Sequence, residues 1–186
     1  EGLNTEIATL GKKLTKSVKP ATKLAAIQRL GVIGISEILP DQRTTIIETL
    51  ATQISKESDF DVRVSIISIL GQMGAQRIPN QQIGTIIETL SNILRDEPNI
   101  HLRSLIISHL GQISSKEITT DLMGMINSTL TQRLESEADL TLRMGVIANL
   151  GQMGTYAIPV ALSEALITAL TEFLPREQNA QARNLI

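Results

Sequence analysis

Sliding the chain against itself by 40 positions superposes Leu30-Gly31, Leu70-Gly71, Leu110-Gly111 and Leu150-Gly151 without a gap. Arg63, Arg103, Arg143 and Arg183 fall in one register, with Lys23 in that place in the first copy. A second block keeps the same period: TTIIETL at 44–50, GTIIETL at 84–90, GMINSTL at 124–130 and EALITAL at 164–170. A fixed period near 40 residues signals stacked supersecondary units. No unit of that size buries its apolar face alone, so each must lean on the next.

Within a unit the apolar spacing is helical. Val62, Ile66, Leu70 and Met73 form one stripe, as do Leu102, Ile106, Leu110, Ile113 and Leu142, Val146, Leu150, Met153. This segment is helix A. Asp59, Asn99, Asp139 and Asn179 stand where an N-cap accepts from the free amides of the first turn; in the first copy Pro20 takes the first helical position. Gly74 and Gly154, with Gly34 and Ser114 at the matching places, mark the stops. Helix B carries Ile83, Ile87, Leu90 and Leu94, and its counterparts Ile47, Leu50, Ile54; Leu130, Leu134; and Ile167, Leu170, Leu174. The joining loop always holds an Ile (Ile38, Ile78, Ile118, Ile158), placed to plug the open end of the hairpin. The expectation is an all-α solenoid of antiparallel helix pairs. It forms one array: a partial repeat at 1–19, full repeats at 20–59, 60–99, 100–139 and 140–179, and the start of another at 180–186. Both ends therefore read as cuts through a longer parent, with end-to-end self-association expected.

Composition bears on what such an array can do. There is no Cys, which excludes disulfides and thiolate metal sites. With one Tyr, two Phe and no Trp, the core must be aliphatic. No run of 18 apolar residues spans a membrane, and a soluble, cytoplasmic fragment is expected. Charge is uneven: no acid lies between Ile7 and Ser36, where Lys12, Lys13, Lys16, Lys19, Lys23 and Arg29 give six positive charges. The lysines suit the negative end of a helix, or form a docking patch for an acidic partner. From Leu30 onward, 11 basic face 17 acidic residues.

An N-cap, three residues, an Arg, and Leu-Gly seven and eight residues later resembles the HEAT repeat, in particular its short bacterial variety named after phycobilisome lyases. The resemblance covers the whole chain, with Lys19 and Lys23 replacing the cap and the Arg in the first copy and Ser114 replacing a Gly. It implies an armadillo-like superhelix whose concave face is lined by helix B. Its outward residues here are Thr45, Glu48 and Thr52; Thr85, Glu88 and Asn92; Met125, Ser128 and Gln132; and Ala165, Thr168 and Glu172. It also implies a structural ladder joining Arg63, Arg103, Arg143 and Arg183 to the level of Asp59, Asn99 or Asp139 in a neighbouring repeat. Glu57, Glu97, Glu137 and Glu177 recur at the same period and offer further carboxylates.

No catalytic set is visible. His101 and His109 lie eight apart, too far for one metal ion, and read as solvated side chains. Asp59-x-Asp61 lacks the Gly-containing loop and closing Glu of a calcium site. The glycines of GVIG and GQMG follow no strand and precede no Lys-Ser/Thr pair, so they make no phosphate loop. Gly31, Gly71, Gly111 and Gly151, one turn before a helix end, call for close approach of another backbone, because a helical Gly otherwise costs about 1 kcal/mol. The Asn127-Ser128-Thr129 sequon falls mid-helix. Gln72, Gln112 and Gln152 are assigned to carbonyls at the end of helix A. The expected function is a non-enzymatic scaffold that binds an extended or helical protein segment along the helix B face, with no cofactor and no metal. Alternatives from the resemblance are a bilin lyase-like subunit, which lacks any aromatic or His cluster for a pigment here, and a nucleic-acid binder, which the net negative body disfavours.

Overall fold

The computed structural model describes residues 2–154, 164, 167, 168, 170–172, 174–177 and 180–184. The chain divides into two compact units, Glu1–Leu90 and Ser91–Ile186. Unit 1 holds α1 (Gly2–Lys16), α2 (Pro20–Ile35), α3 (Pro40–Ile54), α4 (Phe60–Gly74) and the first part of α5 (Asn80–Asp96). Unit 2 holds the remainder of α5, α6 (Ile100–Ser114), α7 (Thr120–Ser136), α8 (Leu140–Met153), a 3-10 turn at Leu174–Arg176 and a short α9 (Ala180–Arg183). Helices α2, α4, α6 and α8 are the A helices, while α1, α3, α5 and α7 are the B helices. In unit 1, α2 packs on α1, α3 and α4, and α1 on α3; in unit 2, α8 packs on α6, α7 and α9. Like helices thus stack on like, and each A helix also lies against a B helix. Among the described residues there is no strand.

The caps form where the sequence places them. Asp59 accepts from Val62 N at 3.0 Å, Asn99 from His101 N and Leu102 N at 2.9 and 3.2 Å, and Asp139 from Leu142 N at 2.9 Å. Pro20 opens α2 without a side-chain cap from Lys19. Asn179, Ile158 and Ala165 lie outside the described residues. The stripes are the core: Val62, Ile66, Leu70 and Met73 in unit 1, and Leu102, Ile106, Leu110, Ile113, Val146 and Leu150 in unit 2, are buried. Each such side chain contributes about 1.5–3 kcal/mol through removal from water.

Three expectations need correction. The A helices end near the glycines, but no described residue has a positive φ, so the stops are not left-handed caps. Gly34 and Ser114 are instead buried inside the helix, where Gly34 makes room for Met73. The glycine one turn earlier meets a side chain, not a backbone. A Cβ on Gly31 would overlap Ile69, and one on Gly111 would overlap Asn149, whose Nδ2 donates to Ile107 O at 3.2 Å. Gly151 has open space around it, and nothing in the structure explains it. The B helices use the same device more loosely. Thr49 lies over Gly11 in unit 1, and Thr129 Oγ1 reaches Ser91 Oγ at 2.8 Å in unit 2.

The third correction is His109. It is 8% exposed rather than solvated, and it shares the register of Ile69 and Asn149. Burial holds its imidazole below the ordinary histidine value, against an opposing influence of the Gln112 amide. Neither ring nitrogen has a hydrogen-bond partner of good geometry among the described residues. His101 is exposed.

Candidate functional site

The arginine register builds a clasp within the repeat. Arg103 Nε and Nη2 donate to Glu137 Oε2 and Oε1 at 3.0 and 3.1 Å, while Nη1 donates to the carbonyls of Glu97 and Pro98 in its own loop at 3.3 and 2.7 Å. Arg143 repeats the pattern on Glu177 at 2.9 and 3.3 Å and on the carbonyls of Glu137 and Ala138. Arg183 Nη1 then reaches Glu177 O at 2.9 Å. In unit 1, Lys23 Nζ donates to Glu57 Oε2 at 2.8 Å, and Arg63 Nη1 to Glu57 O at 3.0 Å. The carboxylate that answers Lys23, Arg103 and Arg143 is therefore the Glu 34 residues on, at the far end of the same 40-residue repeat. The aspartates and Asn99, expected as the ladder's partners, are occupied as caps of their own helices.

Those glutamates tie the loop as well. Glu57 Oε1 accepts from Ser58 N and Asp59 N, both at 3.0 Å, and Gln53 Nε2 donates to Oε2 at 2.9 Å. Glu137 accepts from Asp139 N at 3.0 Å and from Arg133 Nε at 2.8 Å. Burial alone would raise the Glu57 pKa. The hydrogen bonds from Lys23, the Asp59 amide and Gln53 outweigh it and hold the carboxyl at about 2. Glu137 is lowered by the same contest, with Arg103, the Asp139 amide and Arg133 overcoming its burial. A buried carboxylate with this many donors is a structural joint, with no lone pair directed at a ligand.

The helix B face has a different character. Thr45, Glu48, Thr52, Glu88, Asn92, Ser128, Gln132, Thr168 and Glu172 are exposed, and Thr85 is half-buried. Thr45 and Thr85 donate their hydroxyl hydrogens to Asp41 O and Gln81 O one turn back, at 3.0 and 3.2 Å. Their oxygens keep only acceptor capacity toward solvent. With Glu48 and Glu88, the unit 1 part of this face is rich in acceptors and poor in donors. In unit 2, a small cleft of about 60 Å³ on the same side is lined by Ser91, Leu94, Arg95, Thr129, Gln132, Arg133 and Ser136.

Sequence reasoning missed a groove of about 490 Å³ on the other side of unit 2, between α6 and α8. Ser104, Ser108, Gly111, Gly145 and Ala148 line it. The run of small residues on the outward face of two successive A helices was its signal. Gln112 and Gln152 also line this groove, on the exposed side of their helices. Asn127 of the sequon is buried, which shields it from modification in the folded chain. Among the described residues, no three His, Asp or Glu side chains are grouped to hold a metal ion, and no helix is long and apolar enough to cross a membrane.

No protein-family profile matches the sequence, and no characterised protein matches it. Solved structures do. An engineered protein superposes with a TM-score of 0.62 at 17% identity, over 97% of this chain and 76% of its own. A second engineered protein gives 0.60 at 16%, over 96% and 45%, and a designed armadillo repeat protein 0.59 at 17%, over 95% and 77%. At such identities the likeness speaks for the fold: an all-α repeat solenoid of armadillo-like type.

Proposed function

We propose that this chain is a HEAT-type array of 40-residue repeats acting as a non-enzymatic scaffold, and that it holds a protein segment along its helix B face. The observation that carries this reading is the acceptor-rich row on the B helices of unit 1. Glu48 and Glu88 share a register in successive repeats, and the threonine hydroxyls beside them have already spent their hydrogens. A partner presenting Lys, Arg or amide donors at a matching spacing pairs with these acceptors. Stacked helices lie 8–10 Å apart, so one extended or helical segment meets both carboxylates in turn. The fold supports the reading because a stacked-repeat surface is long and its exposed residues are free to vary without disturbing the core.

The test is affinity capture followed by mass spectrometry, with the unaltered chain beside two double variants. Glu48→Lys/Glu88→Lys leaves folding nearly intact, since exposed charges add little stability, and loses the partner. Asp61→Lys/Lys116→Glu, away from that face, retains it. Loss of the partner in the second variant alone removes the helix B face from consideration.

A further inference from the structure

The edge of unit 1 where B helices hand over to A helices carries charge that the fold leaves unanswered. Lys12, Lys13, Lys16, Lys19 and Lys56 are exposed, and none makes an ion pair among the described residues. Three carboxylates of this unit are already engaged, Glu57 by Lys23 at 2.8 Å, Glu6 by Arg29 at 2.6 Å and Asp59 as the cap of α4, while Asp61 beside Phe60 is exposed. The ends of α1 and α3 offset only about half a charge each, over their last turn. Between Lys16 and Lys19 stands Val18 at 89% exposure, the most exposed large apolar side chain described. Phe60, 43% exposed, belongs to the corresponding edge of the next repeat.

We propose that this edge docks an acidic, extended protein segment, with carboxylates three residues apart and an apolar side chain that covers Val18. Lys16 and Lys56 hold one register in adjacent repeats, and α1 packs on α3, so their helix axes stand about 8–10 Å apart. A polyproline-type strand turns once every three residues and rises about 3.1 Å per residue, which returns a side chain to the same side every ~9 Å. That rise matches the lysine spacing. The surface is separate from the Glu48–Glu88 row, so the two proposals stand or fall independently.

Charge distribution favours a peptide over other polyanions. Phe60 is the aromatic on which a base could stack, but Asp59 and Asp61 flank it and repel phosphate. An anionic lipid plane meets the same two aspartates and gains one Val as its apolar anchor, too little for stable seating. A peptide places its carboxylates only where the lysines are.

The experiment uses fluorescence anisotropy of a labelled peptide of about twelve residues, with Glu at every third position and one central Leu. Saturable, salt-sensitive binding is expected. Lys16→Glu/Lys19→Glu/Lys56→Glu weakens it at least tenfold, and Val18→Ser weakens it about threefold with the salt dependence unchanged. Arg77→Glu, at the exposed loop between α4 and α5, leaves it unaltered. If the triple variant loses its thermal transition, Lys56→Glu alone reads the effect at roughly threefold. Absence of binding, equal loss in Arg77→Glu, or equally tight binding of a thymidine oligomer or phosphatidylserine vesicles at physiological salt overturns the proposal.

Discussion

The two units solve one joint with different chemistry. In unit 1 the cation is Lys23, a single contact to Glu57, and the brace from the preceding turn is the neutral Gln53. In unit 2 Arg103 grips Glu137 with two nitrogens, and the brace is a second cation, Arg133. The offset of 34 residues is identical. The same contrast runs through the small-residue contacts, where apolar Ile69 fills the space over Gly31 and amide-bonded Asn149 the space over Gly111. At the first turn of the B helices, unit 1 stitches Gln42 to Asn4 and Gln82 to Thr44, whereas unit 2 buries Leu122. Stacking fixes where a side chain must reach; it leaves open whether the contact is ionic, amide or apolar.

The largest expected effect separates the two joints. Glu137→Ala leaves Arg103 and Arg133 facing each other without a counter-charge, at about 3–5 kcal/mol of lost stability. Glu57→Ala leaves a single cation, Lys23, without its counter-charge, beside the neutral donors Gln53, Ser58 N and Asp59 N; the lysine's flexible stem reaches water, and the loss is smaller, about 1–3 kcal/mol. Urea denaturation followed by circular dichroism ranks them, and equal losses would mean that the second cation is irrelevant. Leu110→Ala, in the stripe of α6, costs about 2–5 kcal/mol by opening a cavity, while the exposed Ser108→Ala changes little.

The pH dependence sharpens the comparison. Because the folded pKa of Glu57 is about 2 against an ordinary 4.5, its contribution is fully present above pH 4.5 and fades as pH falls toward 2. The shift corresponds to roughly 3 kcal/mol. Lys23→Met flattens that acid limb; an unchanged limb places the effect elsewhere. Smallest are the glycines. Gly111→Ala collides with Asn149 and destabilises by about 1–3 kcal/mol. Gly31→Ala meets the flexible tip of Ile69 and loses less. Gly151→Ala, in open space, stabilises by up to about 1 kcal/mol. Melting temperatures order the three.

Helix identity, stripes and caps were legible because they obey local rules. The spacing of Val62, Ile66 and Leu70 and the side chain of Asp59 act within one helix. What crosses between helices was not. Asp59 and Glu57 carry the same charge two residues apart, and only the path of the loop decides that Asp59 caps while Glu57 turns inward to Lys23. His109 was misread by its chemistry, although its shared register with Ile69 marked it as a packing position. The glycines announced a close neighbour without saying whether it was a backbone or a side chain.

The clasp that closes the repeat 100–139 is tested most directly by a double-mutant cycle on Arg103 and Glu137, with Arg103→Met, Glu137→Gln and the pair, read by urea denaturation. A coupling of about 1.5–3 kcal/mol is predicted. Additivity within about 0.5 kcal/mol would contradict the clasp and leave the packing of the apolar stripes to hold the two ends of this repeat together.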